Sequence, residues 1–336
     1  MNLNESKYAQ YYLVQEMMGT VPTVAKFDPA CSKFVADSVR KTGKILFSGE
    51  GSSRLLPAKN SRRVALTMGL DVNVQIEGSH QASGYDLSHY TVLIDSNSGR
   101  TKEALMLAKK LQAEGHKDTF ALSANPDTPI RQACVDGHVL GCGWEEAVAA
   151  TKSVIEQGLF CESIIWHLAG KDMKPALKDL PAQLETALTL EIPAEIVEWV
   201  KGAHTIYFSG YNDGVAEELT LKTNEITRRK SDFLEGTYAV HGIEEVMQDG
   251  DIVFLVNPIP AEYEKFQTVF KGANVHVVAI DTKPTPFERT IIVPDAGLMQ
   301  PYVYLCAGWN ILVEVATSDG INLDKPERAR KVGNEM

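Results

Sequence analysis

Two short stretches of this chain carry hydroxyls and glycine in the arrangement an anion-binding loop requires. Ser96-Asn97-Ser98-Gly99-Arg100-Thr101 follows the apolar run Thr91 to Asp95 and opens onto an amphipathic segment, Lys102 to Glu114. The amide N–H groups at such a helix start, joined by the hydroxyls of Ser96, Ser98 and Thr101, would cage a phosphate monoester. Gly51-Ser52-Ser53 supplies two more hydroxyls after another apolar run, Lys44 to Gly49. Ser and Thr also serve as plain helix caps, but two hydroxyl-rich loops after adjacent strands favour a site. Neither loop fits GxxxxGK[ST] or GxGxxG, which argues against ATP and NAD.

Those loops need strands to carry them. Short β-branched and aromatic runs alternate with longer amphipathic segments, the pattern of a parallel sheet covered by helices on both faces. The run Lys44-Ile45-Leu46-Phe47-Ser48-Gly49 reappears as Thr205-Ile206-Tyr207-Phe208-Ser209-Gly210. The next strands are Thr91 to Asp95 and Asp251 to Val256, and Ile94 lies as far beyond Phe47 as Leu255 lies beyond Phe208. Thr119 to Leu122 and Val275 to Ile280 follow, then His138 to Leu140 and Thr290 to Val293. Each series closes on a long helix, Glu145 to Leu168 or Pro301 to Thr317.

The chain therefore reads as an internal duplication of about 160 residues, too long for a solenoid unit, with each copy a doubly wound domain. The expected fold class is α/β: two tandem doubly wound αβα sandwiches with parallel, flavodoxin-like sheets. Residues 1–180, led by a helix near Ser6 to Met18, are expected to form the phosphate-binding domain, and residues 181–336 the second, with a linker at Gly170 to Pro193. In the second copy the loop matching Ser96 to Thr101 reads Asn257-Pro258-Ile259-Pro260. It has no hydroxyl, and its two prolines lack an N–H, so only the first copy should hold phosphate.

With 336 residues the chain has room for two domains. Its 33 basic and 44 acidic residues leave a net charge of -11, which repels nucleic-acid backbones and anionic membrane surfaces. No apolar stretch approaches a membrane span, and no signal-peptide pattern opens the chain. Five cysteines without a CxxC pair point to a reducing compartment and away from a disulfide framework or zinc site. The expectation is a cytoplasmic protein with no metal and no nucleic-acid or membrane partner.

With the duplicated sheet, SNSGRT and EEAVAATK in place, the chain resembles the sugar isomerase (SIS) family, above all its tandem-domain members, over most of its length. Ser96, Ser98, Gly99 and Thr101 fit the family's Ser-x-Ser-Gly-x-Thr phosphate loop, Asn97 takes its Gln position, and Gly51, Ser52 and Ser53 fit its first loop. Val148-Ala149-Ala150-Thr151-Lys152 is similar to the family's Val-Ala-Ser-Thr-Lys, with Ala150 replacing a serine that touches the sugar. Asn224-Glu225-Ile226 resembles its Lys-Glu-Ile, and His241 follows Glu225 by sixteen residues, as the family's catalytic histidine follows its glutamate. The segment Asp324 to Lys331 resembles the family's tail and puts Lys331 at its sugar-binding lysine. Glu50, Arg100 and Ile243 stand where the family's aminosugar synthases have cysteine, glutamate and proline, so an identical substrate is not expected.

The resemblance implies a proton shuttle between C1 and C2 of an open-chain sugar phosphate, with no cofactor. Glu225 would be the base, His241 would open the ring, and Lys331 would form an imine or neutralise an enediol. Without the motif Glu225, on a segment that also carries Glu217, Glu218, Arg228 and Arg229, reads as part of a solvated face. The resemblance further implies a homodimer with a shared active site, the histidine being lent across the interface. The first repeat starts about forty residues in, so no glutaminase domain and no glutamine-dependent synthesis are expected. The leading expectation is an isomerase/deaminase for a 6-phosphorylated (amino)sugar such as glucosamine 6-phosphate. The alternatives are a deglycase acting on 6-phosphorylated fructose-amino acid adducts and a non-catalytic phosphosugar-binding regulator.

Overall fold

The computed structural model describes residues 1–330. Among them ten strands form two parallel five-stranded sheets. The first contains β1 (Lys44–Gly49), β2 (Asn73–Gly78), β3 (Thr91–Asp95), β4 (Thr119–Ser123) and β5 (Asp136–Val139), in the order β2-β1-β3-β4-β5. The second contains β6 (Ile206–Gly210), β7 (Ser231–Glu235), β8 (Ile252–Val256), β9 (His276–Asp281) and β10 (Arg289–Ile292), in the order β10-β9-β8-β6-β7. Matched strand for strand, both follow the same doubly wound order, with a switch point where β1 meets β3 and where β6 meets β8.

Side-chain alternation builds the first unit's core on both faces of its sheet. Ile45, Phe47, Leu93, Phe120 and Leu122 pack with Val35, Phe160 and Ile164 on one side. Leu46, Val92, Ile94 and Ala121 pack with Leu105, Leu111 and Ile130 on the other. In the second unit Tyr207, Val253 and Leu255 meet Phe266 and Phe270 on one face. Phe208 and Phe254 stack with ring centroids 5.0 Å apart. The helix Gln300–Ser318 is buried along nearly its whole circumference, as a helix wrapped by neighbours must be. Gly308 allows its close approach to Val215–Lys222, since a Cβ there would lie 2.2 Å from a Leu219 methyl.

The two compact units do not divide at a single point. One comprises Pro22–Glu146 and Ala150–Lys178; the other comprises Met1–Val21, Ala147–Ala149 and Asp179–Glu327. The expected boundary at 180/181 lies beside the last crossing, but the N-terminal segment groups with the second sheet rather than the first. Its side chains explain why: Leu13, Val14 and Met17 are fully buried, and the Met1 ammonium donates to Leu188 O (3.1 Å) and Asn310 Oδ1 (3.0 Å). That segment is two helices, Ser6–Ala9 and Tyr12–Lys26, rather than one. The expected linker also carries helices of its own, Lys174–Leu177 and Leu180–Thr189. No helix among the described residues is long and apolar enough to cross a membrane.

Candidate active site

The loop after β3 is built by its own hydroxyls. Ser96 Oγ lies 2.9 Å from Thr101 Oγ1 and accepts from Gly99 N at 3.1 Å, while Ser98 Oγ accepts from Arg100 N at 3.2 Å. Thr101 occupies the N-cap position of the helix Lys102–Ala113, yet its side chain does not cap the helix. The hydroxyls are therefore turned into the loop. Gly99 has a φ of 64°, and a Cβ there would lie 2.4 Å from Thr128 Cβ, so the turn requires glycine on two grounds. Ala124 N and Ile130 N donate to Asn97 O (2.9 Å) and Gly99 O (3.3 Å), fixing the loop to the end of β4.

The neighbouring loop leaves β1 across the switch point. Gly51–Ser53 forms a single 3-10 turn closed by Arg54 N donating to Gly51 O at 3.0 Å. Ser53 Oγ accepts from Gln157 Nε2 at 3.4 Å, and the same nitrogen donates to Asp95 Oδ1 at 2.7 Å. Glu50 accepts from Ser79 N (2.8 Å) and His80 N (3.4 Å) just after β2. Ser53 is thus joined through Gln157 to the strand end that carries Ser96, Asn97, Ser98 and Thr101.

The helix expected from Glu145 begins only at Lys152. Glu145 is fully buried, and its carboxylate accepts from Thr151 N (2.8 Å), Thr151 Oγ1 (3.1 Å), the Ser153 hydroxyl and Asn97 Nδ2 (3.3 Å). These bonds fold residues 145–153 into a bend ahead of the helix and tie it to the loop after β3. Val148 and Ala150, the expected sugar contacts, are half-buried in this segment. Asp95, Gln157 and Glu145 were not singled out in the sequence, where only their nearness to SNSGRT and EEAVAATK marks them.

In the second unit Glu225 lies in a π-helical turn, Thr223–Thr227, that continues the helix Val215–Lys222. The Lys222 ammonium, itself buried, donates to Glu225 Oε2 at 2.7 Å and lies 3.3 Å from Glu218 Oε1. Burial alone would lower the lysine's pKa, but Glu225 and Glu218 outweigh it and hold the ammonium charged well above its ordinary range. Glu225 itself is exposed and ion-paired rather than desolvated. His241 is also exposed, and its ring makes no hydrogen bond or ion pair among the described residues. Lys331 lies outside the described residues. At the second switch point Ser209, Tyr211, Asn257, Pro258 and Phe266 enclose a cavity of only about 10 Å³, room for a single water at most. Among the described residues no group of three His, Cys, Asp or Glu side chains is placed to hold a metal ion.

No protein-family model matches the chain. Glutamine–fructose-6-phosphate aminotransferase (isomerizing) of Corynebacterium efficiens is 24% identical over 324 residues, covering 87% of this chain and 51% of that protein. The chain thus spans about half the length of this curated relative. Among solved structures, the C-terminal domain of glucosamine-fructose-6-phosphate aminotransferase from Francisella tularensis superimposes with a TM-score of 0.78 at 16% identity, covering 96% of this chain and 100% of that one. Glucosamine-6-phosphate deaminase from Thermotoga maritima gives a TM-score of 0.68 at 19% identity, covering 94% and 99%. Tagatose-6-phosphate ketose/aldose isomerase from Escherichia coli gives 0.75 at 14% identity, covering 97% and 99%. The chain has the two-sheet fold of the phosphosugar isomerases, and its resemblance to the sugar isomerase (SIS) family extends over most of its length.

Proposed function

We propose that the protein is a sugar-phosphate aldose-ketose isomerase/deaminase acting on a 6-phosphorylated (amino)sugar such as glucosamine 6-phosphate. The observation that carries the proposal is the loop after β3, whose Ser96, Ser98 and Thr101 hydroxyls turn inward around Gly99 at the sheet's switch point. A phosphate held there would anchor the sugar by the end remote from C1 and C2, with Gly51, Ser52 and Ser53 completing the cage and Val148 and Ala150 against the sugar. Glu225 would then move the proton between the two carbons, with Lys222 holding the carboxylate in one orientation. His241 would protonate the ring oxygen as the sugar opens, and Lys331 would hold the open chain as an imine or by its charge. In the deaminase direction water replaces the amine, giving fructose 6-phosphate and ammonia. The homodimer is part of this proposal.

The test is an NMR time course of the purified protein with glucosamine 6-phosphate and, separately, a 6-phosphofructosyl amino acid. New sugar-phosphate signals from the first support the proposal. Conversion of the second alone moves the assignment to a deglycase. Tight binding of both without conversion identifies a phosphosugar-binding regulator instead.

A further inference from the structure

The strand that delivers the phosphate loop ends on an acid. Asp95 stands immediately before Ser96 and is 3% exposed. Its Oδ1 accepts from Gln157 Nε2, while its Oδ2 and Gln157 Oε1 are both buried and meet no donor among the described residues. With an ionised Asp95 both of these atoms would be acceptors only, a costly arrangement away from water; a proton on the carboxyl supplies the missing donor. The surroundings favour that proton. Gly49 of β1 comes close to the Asp95 backbone, and the helix Lys152–Leu168 contributes Gln157 and Cys161. Cys161 is the titratable neighbour, its own thiol pushed up by burial. Burial drives the Asp95 carboxyl well above the usual carboxylate range, only the Gln157 hydrogen bond opposing it, and no basic side chain among the described residues offsets it. A negative charge here would oppose the anion that the next six residues are arranged to hold.

We infer that Asp95 is kept as a neutral carboxylic acid beneath the phosphate loop, and that Gln157, bonded both to it and to Ser53, is the positioning residue that fixes the two hydroxyl loops against each other. The inference rests on reading those loops as an anion site, and it deepens that reading by assigning the tier that supports them. The ligand class is a phosphate dianion, free or as a monoester, which the loops bind while the proton stays on Asp95.

Calorimetric titration of inorganic phosphate and of glucosamine 6-phosphate into the full chain tests both parts. Asp95→Asn, neutral and of the same shape, should leave the dissociation constant within about twofold at neutral pH, whereas Gln157→Leu should weaken binding about tenfold or more. Carboxyl-carbon NMR of the wild-type chain labelled at aspartate should show one signal at the protonated position from pH 5 to 8, absent in Asp95→Asn or, should that variant not fold, in Asp95→Ser. A carboxylate signal for Asp95 at neutral pH overturns the neutral acid, as does about tenfold tighter phosphate binding by Asp95→Asn. Unchanged binding by a folded Gln157→Leu overturns the positioning role. A chain that binds phosphate over a protonated Asp95 but converts no sugar sinks the enzymatic proposal and leaves this inference standing; failure to bind any phosphate sinks both.

Discussion

Glu145 is the side chain whose removal should be felt most strongly in the first unit. Thr151 and Ser153 are as fully buried as the carboxylate they serve. Glu145→Ala would leave the Thr151 amide, the Thr151 hydroxyl and the Ser153 hydroxyl without this acceptor. At about 1–3 kcal/mol for each orphaned donor the loss is roughly 5 kcal/mol, before the vacated volume is counted. That approaches the whole stability of a typical domain, about 5–15 kcal/mol. Glu145→Gln should be far milder. It keeps one oxygen for Thr151, and its new NH₂ can be met by rotating the Ser153 hydroxyl and flipping Asn97, whose Oδ1 is buried without a partner among the described residues. What is lost is chiefly charge assistance, about 2 kcal/mol in all. Urea denaturation followed through the fluorescence of Trp144, the preceding residue, would measure both. Losses below about 1 kcal/mol in both variants would refute the claim that this carboxylate holds the segment.

Further consequences follow from the same geometry. Gly99→Ala forces a left-handed alanine into contact with Thr128, costing about 2–5 kcal/mol in that loop, and should abolish measurable phosphate binding by calorimetry; unaltered affinity would dissociate the loop from the ligand. Ser98→Ala should weaken phosphosugar binding about tenfold, whereas Glu225→Gln should bind normally and convert nothing in the NMR time course. Equal loss of binding in both would contradict the division of labour between the two units. The pH dependence has a definite sign. With its pKa raised in the folded state, Asp95 contributes stability that is greatest below the ordinary carboxylate range and is lost as pH rises towards the folded value. Asp95→Asn should therefore gain on the wild type by up to about 1.4 kcal/mol per pH unit above pH 5, and parallel stability curves would show Asp95 ionised in the native state.

The central strands were legible because they are buried on both faces and read as unbroken apolar runs; β3, β4, β6 and β8 contain no exposed residue. The edge strands β2 and β7 were not. Asn73–Gly78 does alternate, with Val74 and Ile76 inward between Asn73, Gln75 and Glu77, but two apolar residues make a weak signal; Ser231–Glu235 pairs Phe233 and Leu234 side by side and shows neither an apolar run nor alternation. The hydroxyl loops could be read from residue types alone because their chemistry is local. Asp95, Gln157 and Glu145 could not, since what they do depends on burial and on partners far along the chain. The grouping of Met1–Val21 with the second sheet was equally hidden, for it is decided by Leu188, Asn310 and Asp324, each distant in sequence.

The two sheets share one strand order and yet offer a ligand different things. A switch point provides a crevice, but amide N–H groups, hydroxyls and room decide whether an anion can occupy it. The first has the hydroxyls and the start of a helix around Gly99. The second has Pro258 and Pro260, which donate nothing, and a cavity of about 10 Å³ already bounded by Phe266. Its distinctive feature lies instead in the buried ammonium of Lys222 between Glu218 and Glu225. Stability is a poor reason for such a group, because well-packed apolar side chains of similar volume are often as stable as a buried ion pair or more so. What Lys222 does achieve is to hold an exposed carboxylate, Glu225, at 2.7 Å in a single orientation. A carboxylate so held is what the role proposed for Glu225 requires, since that base must reach two adjacent carbons in turn.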